Sequence, residues 1–302
     1  MSTPPGRDGG RRPLVVFTAP SFLPELHDDW PLARAALSRL GVDAVAAVWS
    51  DPDVDWSSFD LVVANGAWDN IHHPAEFLAW VDARDLDGVT VVNSPATLRW
   101  NLDKRYLREL AAMGVAVVPT MWVEPGTDAA FDLGAGEVVV KPTVSGGGFQ
   151  TARYRPDEHE RARQHVRALL DGGWTAMVQP YQDAVDSVGE VGLVFVGGAF
   201  SHAMHKDPMI RRGVGPTQSL IDNQVVTPAT ASPAQLELAH DAVAAADQLL
   251  GPTAYARVDT VPGADGRPAL LELELLDPVL FFATDPGGAD RFARVLRGYI
   301  EY

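Results

Sequence analysis

The chain of 302 residues has no cysteine. Disulfides, thiolate metal sites and cysteine nucleophiles are therefore excluded together. No apolar run approaches the roughly 20 residues that a membrane-spanning helix needs. Residues 1–12 contain Pro, Gly and Arg but lack the apolar core of a signal peptide, so we interpret them as a flexible tail. A cytoplasmic protein is expected.

Positive charge is also scarce, since 24 basic residues face 40 acidic ones and the formal net charge is −16. A nucleic-acid or membrane-surface partner would need a basic stripe, so neither is expected. Only three lysines, Lys104, Lys141 and Lys206, occur beside 21 arginines. A lysine ammonium reaches one phosphate oxygen as a point charge, so each lysine is a candidate for an anion site. The alternative is that biased composition left three lysines on the surface by chance.

The pattern that is present is typical of a mixed α/β protein. Strand-like and helix-like segments alternate over the first hundred residues and predict a parallel α/β domain at 13–98. A helix predicted from Ala96 to Met113 opens a central α+β lid domain at 99–176, and a C-terminal α+β domain follows at 177–302. The polar segment 206–228 lacks periodicity and is predicted to be a long loop.

An apolar strand that leads into a lysine and then glycines is the strongest local signal. Val138-Val139-Val140 precedes Lys141, and Ser145 and Gly146-Gly147-Gly148 follow it closely. Glycines let backbone N–H groups approach phosphates. The lysine precedes the glycines and no Gly-Lys-Ser/Thr occurs here, so the segment is not a P-loop. It predicts a flap that covers a triphosphate; the alternative is a hairpin loop with a surface lysine.

Acidic residues alternate with leucines near the C-terminus. Glu272 and Glu274 share one strand face, and Asp259 on the preceding strand can lie across from them. Carboxylates on one face repel one another unless a hard cation lies among them, and Mg²⁺ takes oxygen ligands. The hairpin predicts a magnesium site; the alternative is a half-exposed strand whose acidic residues face solvent.

The segment from Met177 to Gln182 predicts a strand that leaves one domain and enters the next. The backbone of such a hinge can pair with the edge of an adenine. An acidic side chain shortly beyond, Asp186 or Glu190, can accept hydrogen bonds from ribose hydroxyls. The alternative is an ordinary domain boundary, because Gln-Pro steps and acidic loops are common.

Lys206, Arg211 and Arg212 open the long loop as a basic cluster in an acidic chain. They predict a clamp for a phosphoryl group or a substrate carboxylate, with a solvated loop as the alternative. His202 and His205 lie just before this loop with no third histidine or cysteine nearby. We therefore expect packing or substrate contacts for both histidines and no zinc site.

The order of these segments resembles that of the ATP-grasp ligases. A helix with Lys104, the strand-lysine-glycine flap, the hinge strand and the acidic hairpin follow one another over residues 94–302. Short motifs resemble the glutathione-synthetase-like branch, which includes the cyclo-ligase that forms D-cycloserine from O-ureido-D-serine. The motifs that carry this likeness are Asn93-Ser94-Pro95, Arg99-Trp100-Asn101, Val140-Lys141-Pro142, Val178-Gln179-Pro180-Tyr181, Phe200-Ser201-His202-Ala203 and Leu271-Glu272-Leu273-Glu274-Leu275.

The resemblance implies an ATP site on the matching positions. The first two lysines are expected to contact phosphates, and a serine with three glycines to form the mobile flap. A glutamine and a tyrosine of the hinge are expected to frame the adenine, and one of two acidic residues to hold the ribose. These residues are Lys104, Lys141, Ser145, Gly146, Gly147, Gly148, Gln179, Tyr181, and either Asp186 or Glu190.

The resemblance also implies magnesium and catalytic positions. Mg²⁺ is expected on Asp259, Glu272 and Glu274. Arg257 is expected to face the transferring phosphate. The basic cluster at the start of the long loop, and not the resemblance, adds Lys206 and Arg211 as catalytic candidates. The superfamily pattern usually ends in Glu-x-Asn, so the glutamate at 274 is a departure that adds one negative charge.

The implied activity is formation of a carbon–nitrogen bond through an acyl phosphate on a small amino-acid-like substrate, with ATP and Mg²⁺. Cyclisation of O-ureido-D-serine to D-cycloserine, a step of antibiotic biosynthesis, is the favoured expectation. The alternatives are intermolecular ligation of an amino acid or peptide, phosphorylation of a hydroxyl, and an ATP-binding regulatory module without turnover. Such phosphoryl transfer depends on positioning and charge neutralisation, so a chain without cysteine can perform it. The oligomeric state stays open, with a homo-oligomer among the options.

Overall fold

The computed structural model describes residues 11–127, 131–216 and 224–300. Most of the predicted N-terminal tail lies outside the described residues, as does the middle of the predicted loop at 206–228. No helix within these ranges is long and apolar enough to cross a membrane. The strands described form three sheets that follow one another along the chain.

The first domain contains a parallel sheet, as the sequence predicts. Its strands are arranged in the order β2-β1-β3-β4, and every pair is parallel. Helices α1 and α2 follow β1 and β3, which is the connection that parallel strands require. The elements are β1 (Leu14–Ala19), α1 (Asp29–Arg39), β2 (Asp43–Val48), β3 (Leu61–Val63), α2 (Pro74–Leu86) and β4 (Val91–Val92).

The predicted helix over 96–113 is interrupted. Ser94 caps α3 (Pro95–Asn101) by accepting a hydrogen bond from the Thr97 N–H, and four residues separate α3 from α4 (Tyr106–Ala112). Lys104 lies in the interruption, where its backbone N–H donates to the Thr143 carbonyl at 2.9 Å. The break directs the Lys104 side chain at the central domain.

The central domain contains an antiparallel sheet in the order β5-β8-β6-β7, and a helix packs its apolar face on this sheet. The last strand, β8, pairs with both β5 and β6. The hinge segment is therefore part of the central sheet, which differs from the predicted boundary at residue 177. The elements are β5 (Met121–Val123), β6 (Val138–Pro142), β7 (Ala152–Tyr154), α5 (His159–Asp171) and β8 (Ala176–Pro180).

The C-terminal domain contains a five-stranded antiparallel sheet in the order β11-β10-β9-β12-β13. Apolar side chains of α4 and α7 pack on one face of this sheet, so α4 belongs to this core although its position in the chain predicts a place in the lid. The elements are α6 (Val185–Val188), β9 (Glu190–Val196), β10 (Ala199–Lys206), β11 (Val226–Ala229), α7 (Pro233–Leu250), β12 (Tyr255–Pro262), β13 (Pro268–Glu274) and α8 (Gly288–Ile300).

Helix α8 joins the first domain to the C-terminal domain. Phe292 and Leu296 lie in one buried apolar cluster with Ala36 and Leu37 of α1 and with Val194 of β9. Burial of such a continuous apolar surface stabilises the two domains as one unit. The ends of β6, β8, β12 and β13 thereby face the loops of the first domain.

Candidate active site

A cavity of about 980 Å³ lies where the three domains meet. Its walls include the turns after β1 and β3, the glycine-rich turn after β6, the end of β8 and the polar face of β12 and β13. The predicted site residues that line it are Lys104, Lys141, Ser145, Gly146, Gly147, Gly148, Gln179, Tyr181, Glu190, Lys206, Arg257, Asp259, Glu272 and Glu274.

Lys104 is buried and forms an ion pair on the cavity wall. Its Nζ lies 2.8 Å from Oε1 of Glu272 and also donates to the Ser145 carbonyl. The side chain thus connects the break between α3 and α4 to the glycine-rich turn and to β13.

Lys141 is equally buried, but its side-chain Nζ makes no hydrogen bond or ion pair with any residue in the described ranges. Burial and the neighbouring charge of Lys104 lower the pKa of Lys141, although Glu272 acts in the opposite direction. Its three N–H donors are therefore available in the cavity, which is the property expected of an anion-binding lysine.

The glycine-rich turn after β6 reaches across to the first domain. Gly147 and Gly148 have φ of +56° and +76°, a region that residues with a Cβ rarely adopt. The following Phe149 ring packs edge-on against His72, with the ring centroids 4.9 Å apart. The turn covers the cavity from the side of the central domain.

The β12–β13 register brings the predicted carboxylates together. Asp259 is directly opposite Glu272, and Arg257 is opposite Glu274. Lys206 was expected at the start of the loop, but it is the buried last residue of β10. Its Nζ lies 2.7 Å from Oδ2 of Asp259 and 3.1 Å from Oε2 of Glu190.

Arg257 binds protein oxygens with all three of its guanidinium nitrogens. Nε and Nη2 donate to Asp259 at 3.0 Å, Nη2 also donates to Glu274, and Nη1 donates to the Val279 carbonyl at 2.8 Å. A phosphoryl oxygen could therefore contact Arg257 only by sharing or displacing one of these partners.

The carboxylates of this face differ in their affinity for protons. Burial raises the pKa of Asp259, but Arg257 and Lys206 oppose burial and hold that pKa at about 2. Burial, together with the charges of Glu272 and Asp259, raises the pKa of Glu274 to about 7. Burial is the main cause of this rise, and the charge of Arg257 opposes it.

The arrangement of side chains bears on the predicted magnesium site. Within the described part of the chain, no three acidic or histidine side chains are gathered closely enough to hold a metal ion. Lys104, Lys206 and Arg257 instead bind the three predicted ligands. The oxygen donors suit a hard divalent cation, which would need to exchange with these basic partners. The magnesium assignment stays a prediction.

The end of the cavity near β8 contains the predicted adenine residues. Gln179 is buried and donates from Nε2 to Oγ1 of Thr120 at 2.9 Å. The Tyr181 hydroxyl donates to Asp186 at 2.6 Å. Asp186 does not line the cavity, because Arg153 binds both of its carboxylate oxygens. Of the two ribose candidates, only Glu190 lies on the cavity wall, so the structure argues against Asp186.

Arg153 is a buried residue that does not line the cavity but contacts Tyr181, which does, and the sequence did not indicate this role. Its guanidinium lies 3.3 Å from the centre of the Tyr181 ring and also pairs with Glu137. Its two acidic partners lie 16 and 33 residues away along the chain. The local sequence around Arg153 therefore does not predict these contacts.

The structure does not bring the two arginines of the predicted basic clamp to the cavity. Arg211 and Arg212 are exposed, and neither lines the cavity. Arg212 pairs with Glu137 at 2.9 Å, which ties the loop to the central domain. The physical reason is that the chain leaves the cavity after Ile210, so its basic residues point outward.

The two histidines of β10 make hydrogen bonds within the fold. The ring of His202 lies between Oγ of Ser201 and the Leu280 carbonyl, at 2.9 and 2.8 Å. His205 contacts the Val188 carbonyl. Neither ring lines the cavity.

Comparison with known proteins gives consistent results across sequence and fold. The family described as D-cycloserine synthetase DcsG, N-terminal domain, matches residues 14–93. The chain is 39% identical to the cycloserine biosynthesis protein DcsG of Streptomyces lavendulae in an alignment of 295 residues. This alignment covers 94% of this chain and 97% of that protein.

Solved structures extend the likeness to the whole fold. The crystal structure of D-cycloserine synthetase DcsG superposes with a TM-score of 0.87 at 35% identity, over 95% of this chain and 99% of that one. The ATP-grasp ligase PsnB, solved with a minimal precursor, Mg and ADP, has a TM-score of 0.61 at 16% identity, over 95% and 97% of the two chains. The second likeness concerns the fold alone.

Proposed function

This chain belongs to the DcsG family of ATP-grasp ligases, and from that premise we propose that it closes the ring of D-cycloserine from O-ureido-D-serine with ATP. The observation that carries the proposal is the buried cavity face on which Lys104 and Lys141 lie beside the carboxylates of β12 and β13. An ATP-dependent reaction requires a nucleotide pool, so a cytoplasmic location is part of the proposal.

The proposed reaction begins with transfer of the ATP γ-phosphoryl group to the substrate carboxylate. The aminooxy nitrogen of the same molecule then attacks the acyl carbon, the new C–N bond closes a five-membered ring, and phosphate leaves. The product ring carries an unsubstituted N–H, so water must also cleave the ureido C–N bond and remove the carbamoyl group. Each step needs positioning and neutralised charge more than a side-chain nucleophile.

The nucleotide would occupy the part of the cavity between the central and C-terminal domains. Lys141 and Lys104 would bind phosphate oxygens, and backbone N–H groups of residues 145–148 would cover them. Gln179 and Tyr181 would hold the adenine, and Glu190 the ribose. Asp259, Glu272 and Glu274 would hold Mg²⁺, which would neutralise the charge on the phosphates.

Lys206 and Arg257 have a positioning role in this proposal. Both bind Asp259, and Arg257 also binds Glu274. They keep the two carboxylates on one face of the hairpin before any ligand arrives, which lowers the reorganisation that binding requires.

The test is ADP release from ATP and Mg²⁺ on addition of O-ureido-D-serine, with the product identified by its mass. We expect one ADP for each D-cycloserine formed. Glu272→Gln should lower kcat/KM by at least about 100-fold, because it removes a charge from the proposed metal site. Glu237→Gln, a change of an exposed carboxylate on α7, should leave the rate unchanged.

Other products would contradict the proposal in different ways. A stable phosphorylated amino acid would indicate a kinase. ADP release only on addition of a second amine would indicate intermolecular ligation. ATP binding without ADP release by O-ureido-D-serine would indicate a regulatory module.

A further inference from the structure

Asp277 differs from the other acidic residues of the cavity in having no basic partner. The side chains of Glu190, Asp259, Glu272 and Glu274 each lie within ion-pair distance of a lysine or arginine. Asp277 has no such neighbour within 4.0 Å in the described part of the chain.

Two further acidic residues on the cavity wall, Asp28 and Asp29, differ from Asp277 in their surroundings. Asp29 accepts hydrogen bonds from the backbone N–H groups of Leu280, Phe281 and Phe282, at 2.7 to 2.9 Å. Asp28 is exposed at the rim. Among the described residues of this cavity, Asp277 is therefore the half-buried carboxylate that has neither a basic side chain within ion-pair distance nor a set of backbone N–H donors.

The position of Asp277 is fixed from two sides. From the first domain, Asn70 donates to Oδ2 of Asp277 at 2.8 Å, and the Trp68 indole N–H donates to the Asp277 carbonyl at 3.0 Å. From the C-terminal domain, Arg257 donates to the Val279 carbonyl at 2.8 Å. The carboxylate is held in place while its other oxygen makes no hydrogen bond with a described residue.

Removing a carboxylate from water without a cation nearby disfavours its charged form, which raises its pKa. Burial raises the pKa of Asp277 to about 7, although Asn70, Lys104 and Arg257 act in the opposite direction. A ligand that brings a positive charge to Asp277 would remove this unfavourable energy.

The location of Asp277 indicates which part of a ligand would bring that charge. Arg257 contacts Glu274, a proposed magnesium ligand, and also the carbonyl of Val279, two residues after Asp277. The charges of Lys104 and Arg257 also act on the Asp277 carboxylate, so it lies on the part of the cavity wall beside the proposed phosphate and magnesium site. In an α-amino acid, one carbon separates the carboxyl group from the ammonium. When the carboxylate of an amino-acid substrate is positioned for activation, the ammonium group of the same molecule therefore lies close to Arg257 and Asp277.

We propose that Asp277 binds the α-ammonium group of the amino-acid substrate. This inference rests on the proposed function and adds the group that selects an amino acid over a simple carboxylic acid. Asn70 and Trp68 act through Asp277 as positioning residues, so the first domain contributes to substrate selection by holding the carboxylate.

The test compares Asp277→Asn with the native protein on two substrates. Asparagine keeps the size of the side chain and an oxygen that can accept from Asn70, so the variant should fold. We expect its KM for O-ureido-D-serine to rise roughly 10-fold to 100-fold, because a charge-assisted hydrogen bond is lost. The KM for ATP should stay the same.

The second substrate is 3-(ureidooxy)propanoic acid, which lacks the α-ammonium. The native protein and Asp277→Asn should use it with equal, poor efficiency. Asp28→Asn, which removes the exposed carboxylate of the same cavity, is the matched control and should behave as the native protein with both substrates. An equal rise in KM for both compounds in Asp277→Asn would overturn the proposal, as would an unchanged KM.

Titration with D-serine supplies a readout that does not depend on turnover. D-serine should bind the native protein in the presence of a non-hydrolysable ATP analogue, and Asp277→Asn should bind it at least 10-fold more weakly. Equal binding by the two proteins contradicts the role of Asp277. A native protein that binds D-serine but does not turn over O-ureido-D-serine contradicts the proposed reaction instead.

Discussion

Lys104 and Lys141 lie on one cavity wall, but among the described residues a carboxylate pairs with Lys104 and none pairs with Lys141. The sequence indicated both residues, because a chain with 3 lysines makes each one conspicuous. It could not indicate the difference between them, which depends on the break between α3 and α4. A buried ammonium without a partner is unfavourable in the absence of ligand, whereas breaking a buried pair leaves an uncompensated carboxylate.

The two lysines should therefore respond differently to removal of their charge. Lys141→Met should raise the free energy of unfolding without nucleotide by about 1 kcal/mol, and it should lower kcat/KM for ATP at least about 100-fold. Lys104→Met should lower the free energy of unfolding by about 2 kcal/mol, because Glu272 loses its partner. Urea unfolding and ADP release measure both quantities. A Lys141→Met protein less stable than Lys104→Met would contradict this interpretation.

Asp277 should make stability depend on pH. The pKa of about 7 is above the ordinary value, so the folded state binds the Asp277 proton more tightly than the unfolded state does. Between pH 4 and 7 the folded state holds more protons, so this group's contribution to the free energy of unfolding falls as pH rises. Asp277→Asn should therefore gain roughly 2 to 3 kcal/mol over the native protein between pH 5 and pH 8. An equal difference between the two proteins at both pH values would show that this carboxylate titrates normally.

At the scale of elements, the β12–β13 hairpin was predictable and the hinge was not. Alternation of period two is enough to put Glu272 and Glu274 on one face, and the observed register puts Asp259 opposite Glu272. The place of β8 in the central sheet depends on pairing with β5 and β6, which are separated from it in the chain. The hydrophobic pattern of a single strand does not predict which distant strand it will pair with.

Arg153 gives an element-scale test, because it connects β7 to α6 and to the Tyr181 ring. Arg153→Met should lower the free energy of unfolding by about 3 kcal/mol, since Asp186 and Glu137 lose a buried partner. It should also raise the KM for ATP if Tyr181 frames the adenine. Arg155→Met, just beyond the same strand, removes two ion pairs of an exposed arginine, with Asp157 and Glu158, and should change stability by no more than about 0.5 kcal/mol. Similar losses in both variants would mean that the Arg153 network contributes little.

At the scale of the whole molecule, the cavity exists because three domains meet. Helix α8 shares one apolar core with α1, and Phe149 of the glycine-rich turn contacts His72 of the first domain. The sequence predicted the ATP-grasp fold and the family, and both are confirmed. It did not indicate Asp277, because the contacts with Asn70 and Trp68 that hold this residue come from another domain.

The central claim is that ATP activates the substrate carboxylate as an acyl phosphate before the ring closes. Transfer of ¹⁸O tests it most directly, with O-ureido-D-serine labelled at both carboxylate oxygens and the products weighed by mass spectrometry. We predict that the released phosphate carries one ¹⁸O and that D-cycloserine keeps the other in its ring carbonyl. D-Cycloserine formed together with unlabelled phosphate would contradict the account, because ATP would then have been hydrolysed by water.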